Sequence, residues 1–243
     1  MSQIAMNQIQ QPSPASVTIA AFDFDGTLTT QDSLWPFLRF CCSPWQLVCA
    51  AFRASPWLLK WKLGGLFGLG GTHSNSVAKA HLLAYAFAHL SPTALAERGA
   101  QFSLTLDRLL RPEMRGVLDW HRQQGHHLVL VSASLNVYLQ PWAARQGFVT
   151  CLCTTLATVI KMGGAHPTEK IAPHFVDGNC YGPVKAERLQ AYLQQILGPN
   201  TPYQLYAYGD TRGDKEMLAL AHFPFYKGKA CGQAITQSVV EKR

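Results

Sequence analysis

Short apolar runs of β-forming residues recur along this chain, each followed by a helical pattern, and that alternation constrains the fold most. Val17–Phe22 is the first run, too continuously apolar to have a solvated face, as expected of a buried parallel strand. His127–Val131, Val149–Cys153 and Tyr203–Tyr208 repeat the pattern. Glu113–Gln124, Leu135–Gln146 and Pro183–Leu197 read as helices between them, the first two stopped by Gly125 and Gly147. Gly213–Leu220 reads as a last helix. Thr154–Cys180, with Gly163-Gly164 and Asp177-Gly178, reads as a hairpin excursion. The expected fold is α/β: a doubly wound, parallel, Rossmann-like sheet covered on both faces.

Residues 32–111 break the alternation. They read as helices interrupted at Ser43-Pro44, at the glycine cluster Gly64–Gly71 and at Ser91-Pro92, where Ser91 caps a helix beginning with proline. The expected organisation is a disordered leader over 1–16, a core from 17–31 plus 112–243, and a helical cap inserted over 32–111. The leader is rich in Gln, Pro and Ser and lacks the basic and apolar regions of a signal peptide. The cap is chemically distinct. From Ser33 to Ala96 there is no Asp or Glu, yet this stretch holds Arg39, Arg53, Lys60, Lys62 and Lys79 and four of the six tryptophans. Residues 32–111 carry eight Lys or Arg against three Asp or Glu, so most of the chain's formal charge of +7 sits there. The most apolar window, Trp45–Leu59, is interrupted by Arg53 and Pro56 and is too short to span a bilayer. Contact with an anionic membrane face remains compatible with it. The seven cysteines are odd in number and show no framework spacing, which suits reduced thiols in the cytoplasm.

The chemistry-bearing residues fall at strand ends. Asp23 and Asp25 follow the first strand, Ser132 the second, and Asp210 and Asp214 the strand Tyr203–Tyr208, while Lys185 opens the preceding helix. Ligands of open α/β sheets bind at that edge. Carboxylates gathered there repel one another unless a cation intervenes, and Mg²⁺ is the hard, oxygen-seeking ion that accompanies phosphate. A calcium loop beginning at Asp23 is excluded, because its sixth and twelfth positions are Leu28 and Leu34.

Asp23-Phe24-Asp25-Gly26-Thr27-Leu28-Thr29 resembles the first motif of the haloacid dehalogenase-like superfamily. Val129–Ser134 resembles its second motif, Gly182–Arg188 its lysine-bearing third, and Tyr208–Asp214 its fourth. The helical insertion resembles that of subfamily IB, the phosphoserine phosphatase-like branch. The resemblance implies that Asp23 is the nucleophile and Asp25 the general acid and base. It implies Mg²⁺ held by Asp23, Asp25 through its carbonyl, and Asp210, with Asp214 in support. Ser132, the backbone of Ala133, and Lys185 would hold the phosphoryl group. Ser134 and Lys170 are the alternatives to Ser132 and Lys185, and Asp214 has a reading as a carboxylate at a helix N-terminus. Gly213 stands where phosphoserine phosphatases often carry Asn.

Asp32 stands where such phosphatases carry a glutamate that contacts substrate, and it reads equally as a helix cap. The tryptophan-rich, acid-free cap resembles that of phosphatidylglycerophosphatase C. The expected function is therefore a Mg²⁺-dependent phosphomonoesterase using an aspartyl-phosphate, with a phospholipid head group among its substrates. The alternative substrate is a small soluble phosphate such as phosphoserine or histidinol phosphate. The expected location is cytoplasmic, extending to peripheral contact with the inner membrane face. A non-enzymatic basic module binding membrane or nucleic acid is the other class, although no nucleic-acid signature accompanies the charge.

Overall fold

The computed structural model describes residues 17–66, 72–162, 167–197 and 201–231. The leader over 1–16, the Gly163-Gly164 turn and part of the glycine cluster lie outside the described residues. Among the described residues the strands are β1 (Val17–Phe22), β2 (His127–Leu135), β3 (Thr150–Lys161), β4 (Thr168–Val176), β5 (Tyr203–Gly209), β6 (Phe223–Tyr226) and β7 (Lys229–Ala230). They form one sheet in the order β4-β3-β2-β1-β5-β6-β7. The pairs from β3 to β6 are parallel, and β4 and β7 add antiparallel edges. The chain leaves β1 toward β2 and β3 and later returns to β5 on the other side. The reversal of direction opens a crevice at the carboxyl ends of β1 and β5.

Alternate residues of β1 feed two apolar clusters. Ala20 and Phe22 pack on one face with Leu128, Leu130, Tyr206 and Tyr208. Ile19 and Ala21 pack on the other with Val129, Val131, Leu205 and Met217. Both faces are thus covered, as the continuous apolar runs require. The helices are α1 (Leu34–Cys41), α2 (Pro44–Leu66), α3 (Thr72–Ala86), α4 (Pro92–Ser103), α5 (Pro112–Gln123), α6 (Asn136–Arg145), α7 (Pro183–Ile196) and α8 (Lys215–Ala219). The expected last helix divides into a short 3₁₀ turn, Arg212–Asp214, and α8, because Thr211 and Asp214 cap each other. The helix expected to end at the glycine cluster continues through Gly64 and Gly65 to Leu66.

The helices α1–α4 are tied to the sheet at their root. Thr29 and Leu110 form an antiparallel bridge, and the Arg111 N–H donates to the Leu28 carbonyl at 2.9 Å. Ser91 accepts from the Ala94 N–H, the cap expected at α4. Gly99 of α4 lies against α6 so closely that a Cβ would strike the Val137 carbonyl. Arg145 donates to Ser103 beside this contact, at 3.0 Å to its hydroxyl and 2.8 Å to its carbonyl. Of the four tryptophans in the acid-free stretch, Trp57 stacks on His81 at 3.8 Å, whereas Trp35, Trp45 and Trp61 are exposed.

His121 of α5 is completely buried beneath the sheet, between the Tyr208 hydroxyl (2.9 Å) and His126 (2.7 Å). Burial, reinforced by the neighbouring His126, pulls its pKa down to about 3. The unfolded chain therefore takes up a proton near pH 6.5 that the folded protein refuses. The contribution of His121 is complete above that pH and falls by about 1.4 kcal/mol per pH unit below it. In urea unfolding, the stability advantage of wild type over His121→Gln should shrink by about 2 kcal/mol between pH 7.5 and pH 5. An advantage independent of pH would mean that His121 protonates freely in the native state.

Candidate active site

The last residue of β1, Phe22, delivers Asp23 to the crevice, and the Asp23 N–H donates to the Tyr208 carbonyl at 3.0 Å. The next five residues, Phe24–Leu28, make one tight turn in which Gly26 takes φ +80°. The left-handed conformation favours glycine, and a Cβ there would also collide with the Asp210 carboxylate. Gly26 thereby lets the β1 turn and the end of β5 approach. Thr27 bridges them, its hydroxyl 2.8 Å from Asp210 Oδ1 and 3.3 Å from Asp23 Oδ2. Arg111 steadies the turn by donating to the carbonyls of Gly26 (3.2 Å) and Thr29 (3.0 Å).

Lys185, in the first turn of α7, is buried with its Nζ 2.5 Å from both Asp23 Oδ1 and Asp214 Oδ1. Burial alone would lower its pKa. The Asp23 and Asp214 charges outweigh that effect, and the ammonium is held above its ordinary range. Burial raises the Asp23 carboxyl, Lys185 opposes the rise, and the Asp214 charge adds to it. One ammonium shared by two buried carboxylates leaves Asp23 only partly compensated. The other oxygen of Asp214 accepts from the Asp210 N–H (3.2 Å), the Thr211 N–H (2.9 Å) and the Thr211 hydroxyl (2.8 Å). Asp214 therefore holds the Asp210–Thr211 loop and Lys185 together. Carboxylate oxygens of Asp23, Asp210 and Asp214 all lie within 4.8 Å of one another.

Asp25 points away from this cluster. It accepts from the Ser33 N–H at 2.8 Å and from the Ser134 hydroxyl. Burial, with a contribution from the Asp32 charge, pushes its pKa up to about 6 against those hydrogen bonds. Asp32 is exposed and accepts from the N–H groups of Leu34 (2.8 Å) and Trp35 (3.2 Å), so its carboxylate caps α1.

Strand β2 extends beyond Val131 to Leu135, but its pairing with β3 slips between Ser132 and Leu135. Ala133 and Ser134 sit in that irregularity, where a bulge re-aims side chains. The Ser134 N–H turns back to Ser132 Oγ (3.1 Å), while the Ser134 hydroxyl reaches Asp25. Both serines are thus engaged, in different roles. Lys170 lies on β4 opposite Val159, in the antiparallel part of the sheet.

The structure adds residues that the motifs leave out. Lys79 of α3 donates to the Ala133 carbonyl at 2.8 Å and to Asn179 Oδ1 at 3.2 Å. Burial lowers its pKa to about 8, against the opposing charges of Asp32 and Asp25. Only its place in an acid-free stretch marked it in the sequence. A cleft of about 780 Å³ opens beside the carboxylates and is lined by Thr27, Arg111, Asp210, Lys227 and Lys229 among others. Its wall carries the cations Arg111, Lys227 and Lys229 and the carboxylates Glu113 and Asp210, with Glu113 3.8 Å from Arg111.

The haloacid dehalogenase-like hydrolase family matches residues 20–219. Protein CicA of Caulobacter vibrioides is 29% identical over 224 residues, covering 87% of each chain. A protein of unknown function from Bordetella pertussis Tohama I shares the fold with a TM-score of 0.61 at 19% identity, over 86% of this chain and 89% of its own. A probable phosphoserine phosphatase from Vibrio cholerae, in unliganded form, superposes with a TM-score of 0.51 at 13% identity, over 94% of this chain and 66% of its own.

Proposed function

The chain belongs to the haloacid dehalogenase-like hydrolase family, and from that membership we propose that it is a Mg²⁺-dependent phosphomonoesterase working through an aspartyl-phosphate. The observation that carries the proposal is Asp23, buried beside Lys185 at the crevice, with Asp25 two residues away held by Ser33 and Ser134. In the first half-reaction an Asp23 oxygen attacks phosphorus in line and the ester P–O bond breaks. The departing oxygen takes the proton of Asp25, whose raised pKa keeps a protonated fraction near neutrality. In the second half-reaction Asp25 accepts a proton from water, the water oxygen attacks phosphorus, and Asp23 and inorganic phosphate are released. Ser132, the Ala133 N–H and Lys185 hold the phosphoryl oxygens.

The donor set is hard and all-oxygen, and its spacing fits a divalent cation. Asp23, the Asp25 carbonyl and Asp210 would hold Mg²⁺, with Asp214 fixing the loop that carries Asp210. When bound, Mg²⁺ supplies positive charge that offsets nucleophile and phosphate together. Release of phosphate from an aryl phosphate monoester should require Mg²⁺ and stop on chelation. No Mg²⁺-stimulated release from any monoester tested would overturn the proposal.

Helices α1–α4 act in this reading as a cap that selects the leaving group. A small soluble phosphate such as phosphoserine or histidinol phosphate is one substrate class, in keeping with the phosphatase from Vibrio cholerae. A phospholipid head group such as phosphatidylglycerophosphate is the second, favoured by exposed tryptophans on the same helices. Lys79 brings a cation from the cap to the phosphate loop. Lys79→Met should raise KM about tenfold and change kcat less, as expected when binding common to ground and transition states is removed. A fall in kcat at unchanged KM would instead make Lys79 part of the chemical step.

A further inference from the structure

We propose that the outer face of α2 is a docking surface for an anionic lipid bilayer. Trp45, Val48, Phe52 and Leu59 are 73%, 56%, 79% and 57% exposed. Their spacings of three, four and seven residues return to the same side of a helix turning about 100° per residue. They form one stripe about 20 Å long, parallel to the helix axis. The opposite side of α2 is used internally: Ala50 and Ala54 are buried, and Trp57 packs on His81 and Tyr85. Among the described residues, the helix has a packed inner face and an apolar outer face that none of them covers.

Charge selects the occupant. Arg53 and Lys60 flank the stripe on one side and Lys62 on the other, and all three are exposed. No Asp or Glu from Ser33 to Ala96 opposes them. Apolar and aromatic side chains bordered by cations suit the boundary between acyl chains and anionic head groups. No described helix is long and apolar enough to cross a membrane, so α2 would lie in the surface plane. Docking itself stands independently of the phosphatase reading. Its use, presenting a lipid phosphate monoester to the site, rests on that reading.

The test is co-sedimentation of the full chain with vesicles of phosphatidylcholine alone or with one quarter phosphatidylglycerol, at low and high salt. Wild type should pellet with the anionic vesicles at low salt and be released by high salt. Trp45→Ser/Phe52→Ser should weaken binding at least tenfold. Lys60→Glu/Lys62→Glu should remove the preference for anionic vesicles without changing the helical content seen by circular dichroism. Asp23→Asn should bind as wild type does, so a failed phosphatase assay leaves this result standing. Absence of anionic-vesicle binding by wild type, or binding by both double variants undiminished from wild type, would overturn the proposal. Sedimentation of wild type as a dimer that Trp45→Ser/Phe52→Ser dissociates would assign the face to a second copy instead.

Discussion

Asp23→Asn should lower phosphomonoester turnover by about 10⁴-fold or more while leaving the protein folded, because the variant lacks the nucleophile that divides the reaction into two steps. Structural tolerance follows from the surroundings of Asp23. The substitution removes one of two carboxylates competing for Lys185, which keeps Asp214 at 2.5 Å. It also removes a carboxyl that burial already drives toward its neutral form. Unfolding free energies of variant and wild type should therefore agree within about 1 kcal/mol. Mass spectrometry of acid-quenched wild type should find the phosphoryl group on the peptide containing Asp23. Turnover at the wild-type rate in Asp23→Asn would remove the mechanism.

Lys185→Met should abolish activity and also destabilise the fold, by about 3–5 kcal/mol, since removing one partner of a buried ion pair leaves charge uncompensated. Two carboxylates are stranded here, Asp23 and Asp214, both almost wholly buried. In the variant the Asp23 carboxyl, already raised by burial, loses the opposing Lys185 charge and rises further. A raised carboxyl favours the native state as pH falls, so the deficit relative to wild type should narrow between pH 7 and pH 5. Thermal or urea unfolding at the two pH values measures this directly. A deficit as large at pH 5 as at pH 7 would show that Lys185 stabilises by packing its methylenes rather than through its charge.

The candidate edge of the sheet was legible because its information is local. Each apolar run ends in the residues it delivers, so Asp23, Ser132 and Asp210 follow from strand position alone. Pairings across long sequence distances were not legible. Lys79 meets Ala133 and Asn179 only because α3 packs beside β4, and nothing around Lys79 encodes those partners. The division of labour between Ser132 and Ser134 depends on the register slip in β2, which two adjacent small polar residues do not announce. Strand β3 runs on to Lys161 because its second half pairs antiparallel with β4. Strands β6 and β7 carry no comparable sequence signal. Phe223–Tyr226 is short and contains Pro224, which argues against a strand. The parallel ladder to β5 forms nonetheless.

The contact of Gly99 with the Val137 carbonyl limits how this chain can change length. One residue inserted within α4 before Gly99 would turn it about 100° away from α6 and bring a bulkier neighbour against that carbonyl. The same insertion in the α2–α3 connection would leave the Thr29–Leu110 bridge and the Gly99 contact untouched. Lineages of this fold can therefore lengthen, shorten or resurface the far end of the insertion freely while its root stays in register. New specificities would then be acquired where the helices are most exposed, without realigning Asp23.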